Sequence, residues 1–91
     1  MFQKRTNMDI IAEILSEANE GTKKTHIMYR CNLSFTRLRI YLQNLHDSGL
    51  LAFHSKKKGS NLDYIRTTSK GLEFLDAYHD LKSLMNLRIE G

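Results

Sequence analysis

The residue types that read base edges gather in the middle of this chain. Arg37, Gln43 and Asn44 belong to the run Ser34-Phe35-Thr36-Arg37-Leu38-Arg39-Ile40-Tyr41-Leu42-Gln43-Asn44-Leu45. Arginine presents a forked pair of donors that suits guanine, and the amides of Gln and Asn present the donor and acceptor that suit adenine. A helix exposing such groups has the chemistry to read a duplex from its major groove. The spacing predicts that helix. Phe35, Leu38, Leu42 and Leu45 recur every three or four residues, so they are expected to share one buried face. Thr36, Arg37, Ile40, Gln43, Asn44 and Asp47 then fall on the other face. Ser34 has the hydroxyl to cap the first turn, and Gly49 supplies a left-handed residue after the last, so the helix is expected from Ser34 to Ser48. Ile40 points outward on this wheel, where it would touch a thymine methyl, or is partly buried if the helix is turned.

A second feature lies just downstream. Lys56-Lys57-Lys58-Gly59-Ser60-Asn61 separates two short stretches, Leu50–Ser55 and Leu62–Thr67, that read as the strands of a hairpin. Three lysines at a hairpin tip either guard a strand edge against pairing or neutralise phosphates. Beside a reading helix the phosphate role is expected, because positioning and reading then have separate carriers. Lys23, Lys24 and Arg30, on a short helix from Lys23 to Cys31, either reach the same phosphate backbone or form a solvated face. With Ser34, Thr36, Arg37, Arg39, Ile40, Gln43, Asn44 and Ser60, these residues make up the expected DNA-contacting surface.

Charge follows the same map. The net charge is +4, but residues 22–67 carry nine basic and two acidic residues, a net of +7. Residues 1–21 are at −2 and residues 68–91 at −1. Such asymmetry is the footprint of a polyanion binder, and it weighs against the alternative of a docking module for other proteins. Tyr29, Phe35, Tyr41 and Phe53 fall at core-like positions and only Tyr64 is expected to be exposed, which argues against a stacking platform for single strands or RNA.

Enzymatic chemistry finds little support. His26, His46, His54 and His79 are scattered, and Cys31 is a lone cysteine expected in the core, so neither a metal site nor a nucleophile pair is expected. Gly59 and Gly71 are isolated, with no phosphate-cradling loop. No cofactor or small-molecule ligand is implied. A single cysteine, no secretory signal and no long apolar run fit a soluble, cytoplasmic protein, nucleoid-associated if it binds DNA as expected.

The scaffold must hold the reading helix and the hairpin side by side. A first helix is expected from Asn7 or Asp9 to Gly21, with Met8, Ile11, Ile14, Leu15 and Ala18 inward and Glu13, Glu17 and Glu20 in water. Thr22 is expected to cap the second helix, with Ile27, Met28 and Cys31 inward, and Asn32 to take a left-handed turn. Thr68 opens a long last helix that docks through Leu72 and Leu75. Phe74, Tyr78, Leu81 and Met85, with Leu84, continue as a seam beyond the first two turns and are expected to bury against a second copy of the chain. Three helices, two strands and a final helix make a mainly α (α+β) fold, a winged helix-turn-helix. Residues 1–67 form its DNA-binding domain, and residues 68–91 a dimerisation helix continuous with it.

The stretches Lys24-Thr25-His26-Ile27-Met28-Tyr29-Arg30-Cys31-Asn32-Leu33-Ser34 and Leu38 to Leu51 resemble the small archaeal winged helix-turn-helix DNA-binding proteins. The motif Thr68-Ser69-Lys70-Gly71-Leu72-Glu73-Phe74-Leu75 is similar to the threonine-x-lysine-glycine opening of that group's C-terminal helix. The resemblance implies a homodimer joined by an antiparallel coiled coil, acting on double-stranded DNA in transcription regulation or chromatin. It places recognition contacts on Thr36, Arg37, Ile40 and Gln43 and wing contacts on Lys56 to Lys58.

Overall fold

A computed structural model of the protein describes residues 5–55 and 63–90. The elements run α1 (Asn7–Glu17), α2 (Lys24–Arg30), α3 (Phe35–Asp47), β1 (Leu51–Ser55), β2 (Asp63–Thr67) and α4 (Ser69–Glu90). This is the expected winged helix-turn-helix order. The expected wing tip, Lys56 to Leu62, lies outside the described residues.

Helix α1 starts on a reciprocal cap. The Thr6 hydroxyl accepts from the Asp9 N–H at 3.1 Å, and the Asp9 carboxylate accepts from the Thr6 N–H at 2.9 Å. The helix ends at Glu17 rather than at Gly21, which sits in the following turn at φ +93°. Its buried face is also wider than expected: Ile10 and Ala12 join Ile14, Leu15 and Ala18, while Met8 is exposed. The cause is position, since α1 packs against α2, α4 and β2 together. Glu13 and Glu17, expected in water, are half-buried and paired, Glu13 with Arg5 at 2.7 Å and Glu17 with His26 at 3.5 Å and Arg30 at 3.6 Å.

Thr22 does not cap α2. Its backbone is taken by Ile65 of β2, with Thr22 N–H to Ile65 O at 3.0 Å and Ile65 N–H to Thr22 O at 2.8 Å. Lys23 therefore occupies the cap position, without a side-chain bond. The C-terminal ends of α2 and α3 close alike. Asn32 (φ 54°) and Gly49 (φ 81°) take the left-handed position after the helix. Leu33 N–H then bonds Met28 O at 3.1 Å, and Leu50 N–H bonds Leu45 O at 2.9 Å.

The hairpin pairs Leu51 with Thr67, Phe53 with Ile65 and Ser55 with Asp63. Ile65 and Thr67 turn inward and Arg66 outward. Ile14, Leu15, Ile27, Leu38, Leu51 and Cys31 are the largest fully buried side chains, each large aliphatic contributing about 1.5–3 kcal/mol by leaving water. Burial, with Glu13 and Glu17 nearby, pushes the Cys31 thiol up to about 11, so it behaves as a packed apolar group.

Thr68 caps α4, accepting from the Gly71 N–H at 3.1 Å. Leu75 is buried, but Leu72 is 41% exposed and does not dock the helix. The helix instead lies along α1 for longer than two turns, since Phe74 and Tyr78 both pack on the core.

Candidate nucleic-acid interface

Leu38, Leu42 and Leu45 anchor α3 in the core, and that anchoring decides what faces outward. Thr36, Arg37, Arg39, Ile40, Gln43 and Asn44 are all exposed, and Ile40 is 57% accessible, which settles its outward orientation. Ser34 caps the helix, its hydroxyl accepting from the Arg37 N–H at 3.2 Å.

Between α3 and the hairpin lies an open groove of about 610 Å³. Lys24, Thr36, Arg39 and Gln43 line the helical wall, and Phe53, His54 and Tyr64 line the hairpin wall. A smaller concavity of about 420 Å³ flanks the other side of α3, lined by Asn7, Arg37 and Tyr41 among others. Ile40 and Asn44 line both, so they form the ridge between them.

Several polar side chains on this surface have partners within the chain. Gln43 Nε2 donates to Asp47 Oδ1 at 2.9 Å. The Arg37 guanidinium lies 5.9 Å from the Tyr41 ring. Arg39 (5.9 Å) and Lys24 (5.5 Å) both approach the Phe35 ring, within cation–π range. Arg30 is drawn to Glu17 on α1 and does not line the groove; Lys23 is exposed but also outside it. Lys56, Lys57, Lys58 and Ser60 fall outside the described residues.

The aromatic residues correct the sequence reading. Tyr29 is 80% exposed, Phe35 54% and Phe53 45%, although all three were expected in the core. Tyr41 is half-buried against the core and donates to Asn7 Oδ1 at 2.7 Å, and Tyr64 is half-buried too. Phe35 has the right period but occupies the first position of α3, where a side chain leans back past the edge of the core. Tyr29 projects from a helix of only seven residues, whose inward side is taken by Ile27, Met28 and Cys31. Phe53 stacks on His46, ring centroids 4.5 Å apart, out on the hairpin. His54, opposite Tyr64 in the register, is a groove residue that the periodicity of α3 had no means of revealing.

The start of α4 grips the end of α3. The Thr68 hydroxyl donates to Gly49 O at 2.6 Å, the Lys70 ammonium to Ser48 O at 2.8 Å, and the Thr68 N–H to Leu50 O at 3.1 Å. A cation at a helix C-terminus also suits the helix dipole. A Cβ at Gly71 would lie 2.5 Å from both Leu50 O and Thr67 Cγ2, so only glycine allows this approach. The expected seam on α4 divides in two. Phe74 and Tyr78 pack on the chain's own core, and the Tyr78 hydroxyl donates to Asp9 Oδ1. Leu81, Leu84 and Met85 are 48%, 60% and 49% exposed.

Among the described residues, no group of three or more His, Cys, Asp or Glu is placed to hold a metal ion. No helix among them is long and apolar enough to cross a membrane.

Solved structures share this fold. Sso10a-2, a DNA-binding protein from Sulfolobus solfataricus, superposes with a TM-score of 0.80 at 18% identity, over 94% of this chain and 87% of that one. MepR, a transcription regulator of the Staphylococcus aureus multidrug efflux pump MepA, gives 0.76 at 15% identity over 92% of this chain. ZitR of Lactococcus lactis, solved in complex with DNA, gives 0.65 at 19% over 97%. The chain spans 62% of the MepR chain and 61% of the ZitR chain. No curated protein sequence matches significantly. A family profile, described as winged helix-turn-helix, matches residues 4–86, nearly the whole chain. With its element order, hairpin and capped third helix accounted for, the protein belongs to the winged helix-turn-helix family.

Proposed function

We propose that the protein is a double-stranded DNA-binding transcription regulator or chromatin-associated factor of the nucleoid, related in kind to the small archaeal winged-helix proteins. Helix α3 enters the major groove, and Lys56, Lys57 and Lys58 of the wing hold the phosphate backbone. The observation that carries this reading is the ridge of α3. Its anchored apolar side leaves Thr36, Arg37, Arg39, Ile40, Gln43 and Asn44 exposed beside a groove that Lys24 also lines. The +7 charge of residues 22–67 supports it, because phosphate neutralisation needs cations where the helix docks. Sso10a-2, which shares the fold, is described as a DNA-binding protein, and ZitR was solved in complex with DNA.

In this reading residues 1–67 are the DNA-binding domain and residues 68–91 the dimerisation helix. Exposure of Leu81, Leu84 and Met85 along α4 supports a homodimer through that helix. Two weak half-site contacts then act at high effective concentration.

Fluorescence anisotropy with mixed-sequence duplex DNA across a salt titration tests the proposal. Binding is expected to weaken steeply as salt rises. Affinity that barely changes with salt, or no binding at micromolar protein, overturns it.

A further inference from the structure

Two large apolar side chains stand exposed on α3 among its polar ones. Gln43 is engaged by Asp47, Arg37 lies against Tyr41, and Arg39 lies against Phe35. Ile40 stands 57% exposed on the ridge between the two concavities, and Phe35 stands 54% exposed at the N-terminal end of the same helix. Neither belongs to the buried core or packs against it. A recognition helix presents its N-terminal residues to base edges, which is where Phe35 sits. Lys24 and Arg39 lie 5.5 Å and 5.9 Å from the Phe35 ring centre, so cations for flanking phosphates stand beside it.

In the major groove the one apolar feature that distinguishes a natural base pair is the C5 methyl of thymine. We infer that Phe35 and Ile40 form a methyl-reading pair, so that the protein favours duplex DNA carrying C5-methyl pyrimidines on the face that α3 meets. This rests on the DNA-binding reading above and adds the base feature that is read. Gln43 adds to the choice of site only after its amide nitrogen leaves Asp47. Lys24 and Arg39 then serve the flanking phosphates, and their cation–π contacts hold them at the edge of the apolar surface.

The test removes the methyl and nothing else. Affinity of the full chain is measured for an alternating adenine–thymine duplex, its adenine–uracil counterpart, and a mixed-sequence duplex with either cytosine or 5-methylcytosine. One fully buried methyl is worth about fourfold in affinity. Thymine is expected to bind at least that much more tightly than uracil, and 5-methylcytosine more tightly than cytosine. Phe35→Ala and Ile40→Ala, both at exposed positions, are expected to keep wild-type helix content and to shrink the thymine–uracil ratio toward one, the ratio and not the absolute affinity being the readout. Equal binding of thymine and uracil duplexes overturns the inference and leaves the DNA-binding reading standing. Binding to none of the duplexes overturns that reading itself. Tighter binding to an unpaired oligonucleotide that Phe35→Ala abolishes overturns the inference too, because the ring then stacks on single-stranded bases.

Discussion

The Thr67 hydroxyl donates to the carbonyl of Leu15 at 2.6 Å, across 52 positions of sequence. The Thr67 N–H donates in turn to Ala18 O at 2.9 Å. The end of β2 thereby satisfies carbonyls that the end of α1 leaves without helical donors. Thr67 is buried, so its hydroxyl has no water to turn to, and the bond fixes the hairpin against the first helix. Thr67→Val keeps the shape and removes the donor. We expect a loss of about 1–3 kcal/mol in urea denaturation, the cost of a buried acceptor left unpaired. An unchanged midpoint would show that the Leu15 carbonyl finds another partner.

Gly71 tests the junction of α4 with α3. Gly71→Ala places a methyl 2.5 Å from the Leu50 carbonyl, backbone that has no flexible end to move aside. A destabilisation of about 1–3 kcal/mol is expected from overpacking, and the rotation of α4 should disturb Thr68 and Lys70 on the end of α3. Weaker DNA binding at temperatures where the variant remains folded is the second readout.

Asp9 and Tyr78 give the stability a definite pH profile. Hydrogen bonds from the Thr6 backbone and then from the Tyr78 hydroxyl hold the Asp9 carboxyl down at about 2, against an ordinary 3.8. A depressed acid contributes stability in full above 3.8 and loses it as pH falls toward 2. The Tyr78 phenol is pushed up to about 12 from 10.0, first by its bond to Asp9 and then by burial. Its contribution is complete below 10 and is lost as pH rises through 12. Asp9→Asn is expected to flatten the acid limb of a melting-temperature profile, and Tyr78→Phe the alkaline limb. An acid limb that survives Asp9→Asn would assign it to other carboxylates.

The proposed dimer makes a separate prediction. Leu81→Glu puts a charge in the exposed strip of α4 and is expected to give a monomer that keeps its helix content and binds DNA more weakly. Sedimentation measures the first and anisotropy the second. Wild-type protein that sediments as a monomer at micromolar concentration overturns the dimer and leaves the winged helix intact.

Positioning and reading are expected to separate by mutation. Lys56→Ala, Lys57→Ala and Lys58→Ala should weaken binding to every sequence and lower the salt slope by about one for each phosphate contact removed. Arg37→Ala should cost about 1–3 kcal/mol at a preferred site and less on mixed DNA. Arg30→Ala, whose partner is Glu17, should scarcely change either affinity. Equal losses from Arg37→Ala on both DNAs would place Arg37 on phosphate alone.

The sequence by itself determined the elements and the polar face of α3. Ser34 and Gly49 bound that helix by local chemistry, a hydroxyl for a free N–H and a residue free to take φ +81°. The period of Leu38, Leu42 and Leu45 then dictates which side is left for solvent. Asn32 and Thr68 were legible for the same reason: each answers to neighbours a few residues away. Only the tertiary structure decided where those periodic faces stop being covered. Phe35 continues the stripe of α3 yet overhangs the core, and Tyr78 lies well along α4 yet still meets Asp9 of α1. Likewise Thr22 offers a helix cap but surrenders its backbone to Ile65, and Arg30 turns from the groove to Glu17. Burial and ion pairing depend on what long-range packing brings opposite a side chain, and residue spacing along the chain carries no record of that.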